Sequence, residues 1–194
     1  MEFKQVWKRR RSTRNFQSRQ IAGAELDAIL LAGCSAPVGS NFYRDVHLTV
    51  VQDKETLMEL SAALRRRMGD RTALEKITGE IEGEKSAPAS APFYGAPTVI
   101  VVSHRAQDLQ PGIEYANAAC VAQTMHLAAT DLGLGSVLAW GVFEAMRLYP
   151  QLDRSALLRL PEGFSPLLGL MVGYPVRPLE EREIKPDKLS VNYV

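Results

Sequence analysis

The sequence has little cysteine, almost no net charge and no long hydrophobic run. Its two cysteines, Cys34 and Cys120, form no CxxC pair, so neither a disulfide framework nor a zinc site is expected. The net charge of +1 argues against nucleic acid as the main partner, because duplex binding needs a broad basic face. No apolar stretch approaches the roughly 20 residues of a membrane span, and the N-terminus lacks the long apolar region typical of a signal peptide. We therefore expect a cytoplasmic protein that binds neither nucleic acid nor a membrane.

Recognisable catalytic motifs are also missing. The sequence contains no G-x-S-x-G nucleophile elbow, no H-E-x-x-H zinc motif and no G-x-x-x-x-G-K-[ST] phosphate loop. His47, His104 and His126 are too dispersed to suggest shared metal ligands. A protein without an evident nucleophile or acid–base pair suits a bound cofactor that carries the chemistry itself. We therefore predict no catalytic side chain and no metal.

Hydrophobic patterning predicts one domain, 1–194, in which helices and strands alternate. Three- and four-residue apolar spacing is typical of helices, and alternating or continuous apolar runs are typical of strands. The predicted helices are 3–9, 24–33, 54–68 and 113–132, and the predicted strands are 46–51, 97–103, 137–140 and 166–173. Residues 69–96 are predicted to form a lid or loop, because small residues and prolines punctuate them. This pattern is that of an α/β or α+β protein.

Four arginines and two hydroxyl side chains lie within residues 9–14. Guanidinium groups stay charged and bind phosphate through paired hydrogen bonds. A solvated basic turn is the alternative interpretation, because charge runs are usually surface features. The hydroxyl groups of Ser12 and Thr13 within the run favour a bound phosphate. We interpret the stretch as one half of a phosphate clamp.

Five short motifs in this order resemble those of the FMN-dependent nitroreductase family and cover nearly the whole chain. Arg-Arg-Ser-x-Arg at 10–14 is similar to the N-terminal phosphate motif of that family. Ala-Pro-Val-Gly-Ser-Asn at 36–41 is similar to its Ala-Pro-Ser-x-x-Asn loop. Residues 122–136 resemble its core helix and Gly-Leu-Gly-Ser turn. Leu-Pro-Glu-Gly at 160–163 and Leu-Met-Val-Gly-Tyr-Pro at 170–175 complete the pattern.

The resemblance implies an α+β fold with a central mixed sheet flanked by helices, in an intertwined homodimer. Two FMN molecules would lie in clefts between the subunits, with the phosphate held by one subunit and the ring contacted by the loop of the other. The tail 176–194 would cross to the partner subunit, and one basic residue would return to the phosphate. Arg182 is the first candidate for that residue, and Arg177 and Lys185 are the alternatives. The other implied cofactor-binding residues are Arg10, Arg11, Ser12, Arg14, Pro37, Val38, Gly39, Asn41, Leu134, Gly135 and Ser136.

The activity implied by the resemblance is oxidoreduction with NAD(P)H as the electron donor. A hydride would pass to flavin N5, and a nitroaromatic, quinone or similar small acceptor would then take the electrons in a ping-pong cycle. Other flavin reactions on the same fold, namely ene reduction, dehalogenation and flavin degradation, are alternatives. A further alternative is an FMN-binding protein without turnover.

Overall fold

The chain forms helices and strands close to the positions that its apolar pattern predicts. The structure is a computed structural model and describes residues 1–67, 92–108 and 110–194. Within these ranges the helices are α1 (Phe3–Arg9), α2 (Gly23–Cys34), α3 (Lys54–Arg67), α4 (Ile113–Asp131) and α5 (Gly141–Leu148). The strands are β1 (Val46–Val51), β2 (Thr98–Arg105), β3 (Gly135–Ala139) and β4 (Phe164–Gly173). The result confirms an α+β fold.

The four described strands form one sheet with the order β1-β2-β4-β3, and every neighbouring pair is antiparallel. This corrects the mixed sheet that the resemblance implied. Helix α4 links β2 to β3, and these two strands run in the same direction. They do not pair, however, because β4 lies between them and runs the opposite way. A parallel contact is made by the bridge between Ser12 and Ser136, outside the four strands.

Strand β2 is the buried centre of the sheet, as its continuous β-branched run predicts. The side chains of Val99, Ile100, Val101 and Val102 are fully buried. They alternate between two apolar clusters, one on each face of the sheet. Helix α4 packs on one face, and α3 and α5 pack on the other. Burying such side chains on both faces stabilises the fold by roughly 1.5–3 kcal/mol each.

Helix α4 is buried on one side only. Four small or uncharged residues share its solvent-facing side, which we call the α4 outer stripe: Ala116, Ala119, Cys120 and Gln123. The sequence predicts a helix buried on most sides, with Cys120 in the core, and this prediction is wrong for Cys120, which is exposed. An alanine-rich face has the same apolar pattern whether its neighbour belongs to the same chain or to another molecule. Within the described ranges, no helix combines the length and hydropathy that a bilayer span requires.

The predicted lid and tail are only partly covered by the structure. Of the lid 69–96, residues 69–91 lie outside the described residues, and Pro92–Gly95 form a 3-10 turn. The tail first follows its own N-terminal segment, where the backbone N–H of Arg182 donates to the carbonyl of Lys8 at 3.3 Å. Further along the tail, the apolar side chains of Leu189 and Tyr193 are 79% and 92% exposed. These side chains therefore lie largely uncovered in a single chain.

Candidate anion-binding site

The segment after α1 lies directly on the start of β3. The backbone N–H of Thr13 donates to the carbonyl of Ser136 at 3.0 Å, and Ser12 forms a bridge with Ser136. A Cβ atom on Gly135 would lie 2.6 Å from Thr13 Cγ2 and 2.9 Å from Thr13 Cβ. Such distances are far below van der Waals contact, so only glycine allows the two segments to approach this closely. The Gly-Leu-Gly-Ser turn thus fixes the position of the arginine-rich stretch.

The guanidinium of Arg10 is held by a buried histidine of α4. Arg10 Nη1 donates to His126 Nε2 at 3.2 Å, and His126 Nδ1 is hydrogen-bonded to Ser136 Oγ. Because arginine is only a donor, Nε2 is the acceptor and the ring proton is on Nδ1. Burial, reinforced by the positive charge of Arg10, lowers the pKa of His126 to about 4. The imidazole is therefore neutral at physiological pH.

A second guanidinium, from the tail, lies beside Arg10. Arg182 Nη2 donates to the main-chain carbonyl of Arg10 at 3.3 Å. Burial, with the charge of Arg182 as the second cause, lowers the pKa of Arg10. Two like charges held together in this way repel each other unless an anion lies between or beside them. Arg182, the first tail candidate, thus lies beside the N-terminal stretch.

Several buried donors at this place have no protein partner. Within the described part of the chain, Arg9 Nε, Arg182 Nε and Thr13 Oγ1 are buried without a hydrogen bond. Glu181 contacts the stretch only loosely, at 3.7 Å from Lys8 Nζ and 3.8 Å from Arg9 Nη2. Buried donors normally have partners, so each orphan requires an explanation. Excess positive charge and unpaired donors together fit a dianionic phosphate ester.

The remaining residues of the predicted clamp surround this centre. Arg11 and Arg14 are exposed, and Arg14 Nη1 lies 3.5 Å from the carbonyl of Ser12. Leu134 is fully buried beneath the turn. The fold therefore brings the stretch 10–14, the turn 134–136 and Arg182 into one region. Their contact with a cofactor stays a prediction.

The second half of the predicted site, the loop 36–41, is held by a different buried network. The backbone N–H of Gly39 donates to Asn117 Oδ1 at 2.9 Å, and Asn117 Nδ2 pairs with His104 Nε2 at 3.1 Å. His104 Nδ1 in turn pairs with the carbonyl of Arg105 at 2.7 Å. These contacts form a closed chain of donors and acceptors, from the loop to β2. Both Asn117 and His104 are buried.

The loop itself combines buried and exposed positions. Val38 is buried, whereas Pro37 and Asn41 are exposed. Ser40 and Asn41 have left-handed backbone conformations, with φ of 53° and 61°. Left-handed conformations of residues other than glycine cost energy and often occur at functional sites. The loop is therefore a strained surface segment fixed from below by Asn117.

The two halves attach to opposite flanks of α4. Asn117 and His126 are nine residues apart, which on an ideal helix is about 2.5 turns, a rise of ~13 Å and a rotation of half a circle. Both side chains are buried, one at each border of the apolar face of α4. The loop and the arginine stretch of one chain are thus anchored well apart.

The anchors His126, Asn117 and His104 are not among the residues that sequence reasoning selected. From the sequence, neither His104 nor His126 has an assigned role, because the histidines are too dispersed to share a metal. The available signal was the presence of polar side chains, Asn117 and His126 among them, in a helix that is rich in apolar residues. A buried polar group requires a partner, which could have directed attention to them. Among the residues that the structure describes, no group of His, Cys, Asp or Glu could hold a metal ion.

Comparison with known proteins identifies the family of this chain. The model of the nitroreductase family matches residues 7–174, and the chain therefore belongs to the nitroreductase family. A nitroreductase with bound FMN from Bacteroides fragilis shares 26% identity and a TM-score of 0.75, with full coverage of both chains. A nitroreductase with bound FMN from Desulfitobacterium hafniense shares 25% identity and a TM-score of 0.81, covering 100% of this chain and 99% of that one.

A relative known by sequence gives a consistent result. A protein of Methanothermobacter thermautotrophicus, provisionally named NADH dehydrogenase/NAD(P)H nitroreductase, is 28% identical over 197 residues. The match covers 98% of this chain and 87% of that protein. The similarity thus extends over both halves of the candidate site and the tail.

Proposed function

We propose that this protein is an FMN-dependent oxidoreductase that uses NAD(P)H to reduce a small oxidised acceptor, such as a nitroaromatic or a quinone. The observation that carries the proposal is the cluster of Arg10 and Arg182, whose charges and unpaired donors have no counter-anion among the described residues. Membership of the nitroreductase family and the FMN-bound nitroreductases among the similar structures support it.

The residues present fit the phosphate end of FMN. Arg10 and Arg182 would neutralise the dianion, while Ser12 and the orphaned hydroxyl of Thr13 add short polar donors nearby. When bound, FMN would supply the redox chemistry, namely hydride transfer from NAD(P)H and reduction of the acceptor in a ping-pong cycle. The chain's own residues would bind the phosphate, and Asn117 holds the loop 36–41 in place.

We propose further that the active form is a homodimer in which each cofactor lies between two chains. Within one chain the arginine stretch and the loop attach to opposite flanks of α4, which favours a site built from the stretch of one subunit and the loop of the other. The α4 outer stripe consists of small or uncharged side chains that let a second helix approach closely. Sedimentation equilibrium would test this, with twice the chain mass as the expected result.

The end of the tail is the proposed crossing segment between subunits. The part up to Arg182 lies on its own chain, whereas Leu189 and Tyr193 expose most of their apolar surface. Side chains of this kind gain roughly 25 cal/mol for each Å² of apolar surface that a partner covers. Truncation after residue 185 is therefore expected to weaken the dimer while leaving the folded subunit intact, as measured by sedimentation and circular dichroism.

The binding of FMN can be tested by removing the charges. The double variant Arg10→Ala/Arg14→Ala should lose FMN, because each charge-assisted contact contributes about 1.5–3 kcal/mol and the loss of both corresponds to a hundredfold or more. The matched control is Arg147→Ala/Arg159→Ala, which removes two exposed arginines elsewhere on the surface. A clamp variant that purifies with a full complement of flavin would contradict the proposal.

Turnover is tested separately from binding. Under anaerobic conditions NADH or NADPH should bleach the visible flavin absorbance, and a nitroaromatic or a quinone should restore it. Absorbance that stays unchanged with both donors would mean an FMN-binding protein without this activity. Restoration by only one of the acceptor classes would identify the class that the site accepts.

A further inference from the structure

We infer that His126 is a positioning residue for the cofactor phosphate, because it fixes the Arg10 guanidinium as a neutral hydrogen-bond acceptor and leaves the arginine charge free for the anion. The inference rests on the proposed binding of FMN. His126 belongs to helix α4 and lies beneath the proposed phosphate site. Its proposed role involves no contact with the flavin.

The imidazole is held on both sides. Nε2 accepts from Arg10 and Nδ1 pairs with Ser136, and the ring is 1% exposed. Ser136 is itself tied to the N-terminal segment through the hydrogen bond from Thr13 N to its carbonyl. The arginine, the histidine and the turn therefore form one unit with little freedom to rotate. An arginine fixed before binding loses less side-chain entropy when the phosphate arrives.

The choice of a neutral partner matters for the charge of the site. A carboxylate beside Arg10 would also orient it, but would neutralise the charge and compete with the phosphate. Glu181, an acid of the tail, contacts Lys8 and Arg9 instead. The imidazole occupies one of the five N–H donors of Arg10, so the others stay available for a bidentate contact. Histidine thus orients the Arg10 guanidinium without neutralising its positive charge.

Two substitutions separate the roles of the two ring nitrogens. His126→Gln keeps an acceptor at the place of Nε2 and can still pair with Arg10. His126→Asn keeps a donor at the place of Nδ1 for Ser136 but does not reach Arg10. Each protein is titrated with FMN and with riboflavin, which lacks the phosphate, and flavin fluorescence reports binding.

His126→Asn is expected to weaken FMN about tenfold, as for one hydrogen bond to a charged group, while riboflavin affinity stays the same. His126→Gln should stay within about threefold of the native protein for both ligands. In an Arg10→Ala background, His126→Asn should cause no additional loss of FMN, because the contact is already gone. Equal weakening of FMN and riboflavin, equal effects of the two substitutions, or an unchanged FMN affinity of His126→Asn would overturn the inference.

A measurement on the native protein covers the case in which His126→Asn does not fold. In the FMN complex, ¹⁵N NMR at neutral pH should show an unprotonated, hydrogen-bonded Nε2 and a protonated Nδ1 for His126. A doubly protonated ring would overturn the inference. Failure of the proposed function gives a different result, because the native protein would then bind no FMN at all.

Discussion

The arginine stretch and the loop 36–41 are built in opposite ways, although both depend on a buried polar residue of α4. At the loop, hydrogen bonds run without a gap from Gly39 through Asn117 and His104 to β2. At the arginine stretch, Arg10 is oriented by His126, but neighbouring donors such as Arg182 Nε have no partner. The hydrogen bonds of the loop anchor are complete within the described chain, whereas donors beside the stretch are unpaired. This difference is expected if the stretch is the half that binds an anion and the loop is the half that presents a fixed surface.

The largest expected effect comes from mixing two defective chains. If mixing restores no activity, the arginine stretch and the loop 36–41 are not two halves of a site shared between subunits. Chains with Arg10→Ala/Arg14→Ala lack the clamp, and chains with Asn41→Trp carry a bulky group on the exposed loop. Each alone should be inactive. If a site combines the stretch of one subunit with the loop of the other, an equal mixture refolded together regains about a quarter of the native sites.

The control for that experiment mixes each defective chain with itself. Recovered flavin and NAD(P)H oxidation are measured on the same samples. If both halves of a site came from one chain, mixing would restore nothing, and the proposed arrangement of the dimer would be wrong.

The sequence predicted most of the fold because apolar periodicity records which faces are buried. The continuous run in β2 and the helical spacing in α2 and α4 both specify burial directly, and the structure follows them. The exposed position of Cys120 was missed for the same reason, since periodicity does not reveal which molecule covers an apolar face. The antiparallel pairing of the described strands was also not predicted, because the order of strands in a sheet is set by long-range packing.

The charged residues of the candidate site could be predicted from the sequence, but the buried residues that hold them in place could not. The phosphate chemistry of the arginine run pointed to Arg10, whereas Ser136 and the loop followed from the resemblance to the nitroreductase family. The contact between Arg10 and His126 joins residues 116 positions apart, and no local pattern encodes it. A histidine inside an apolar helix is expected only to pack until its hydrogen-bond partner is known. The folded chain was needed to supply that partner.

Lowering the pH should destabilise the folded protein through His126, the residue that holds Arg10 of the arginine stretch. Its pKa is about 4 in the folded protein and near 6.5 when unfolded, so the unfolded chain binds the proton more tightly. The stabilising effect is therefore complete above pH 6.5 and is lost as the pH falls toward 4, by about 3 kcal/mol in total. The free energy of unfolding, measured with urea between pH 4 and 7, should depend more steeply on pH for the native protein than for His126→Gln. Parallel curves would show that His126 is not the group responsible.

Substitutions of Gly135, beside the arginine stretch, and of Gly39, in the loop, compare how rigidly the two halves of the candidate site are held. In Gly135→Ala the new methyl would lie 2.8 Å from Thr13 Oγ1 and 2.9 Å from Thr13 Cβ, beside the backbone, so we expect a loss of about 2–3 kcal/mol in stability. In Gly39→Ala the methyl would meet Ile113 Cδ1 at 2.7 Å, the end of a flexible side chain, and the loss should stay below about 1 kcal/mol. Urea denaturation measures both.

Two further variants control the glycine comparison. Gly23→Ala introduces a methyl with no atom within 4 Å and should leave stability unchanged or slightly higher. Adding Ile113→Val to Gly39→Ala removes the clashing Cδ1 and should recover most of the small loss. Equal losses for Gly39→Ala and Gly135→Ala would mean that the loop is as tightly constrained as the turn.

The smallest expected effect concerns Glu181, the acid that lies nearest to the arginine stretch. Its contacts with Lys8 and Arg9, at 3.7 and 3.8 Å, are long, and all three side chains are more than a third exposed, so the pairs add little stability. Its negative charge opposes an incoming phosphate, and Glu181→Gln should therefore bind FMN about two- to threefold more tightly at low salt. High salt should remove the gain, because it screens exposed charges. Glu183→Gln, on the same tail and exposed, is the matched control and should change less. Weaker binding by Glu181→Gln would mean that the carboxylate orients Arg9, and that the stretch is less open to an anion than its unpaired donors indicate.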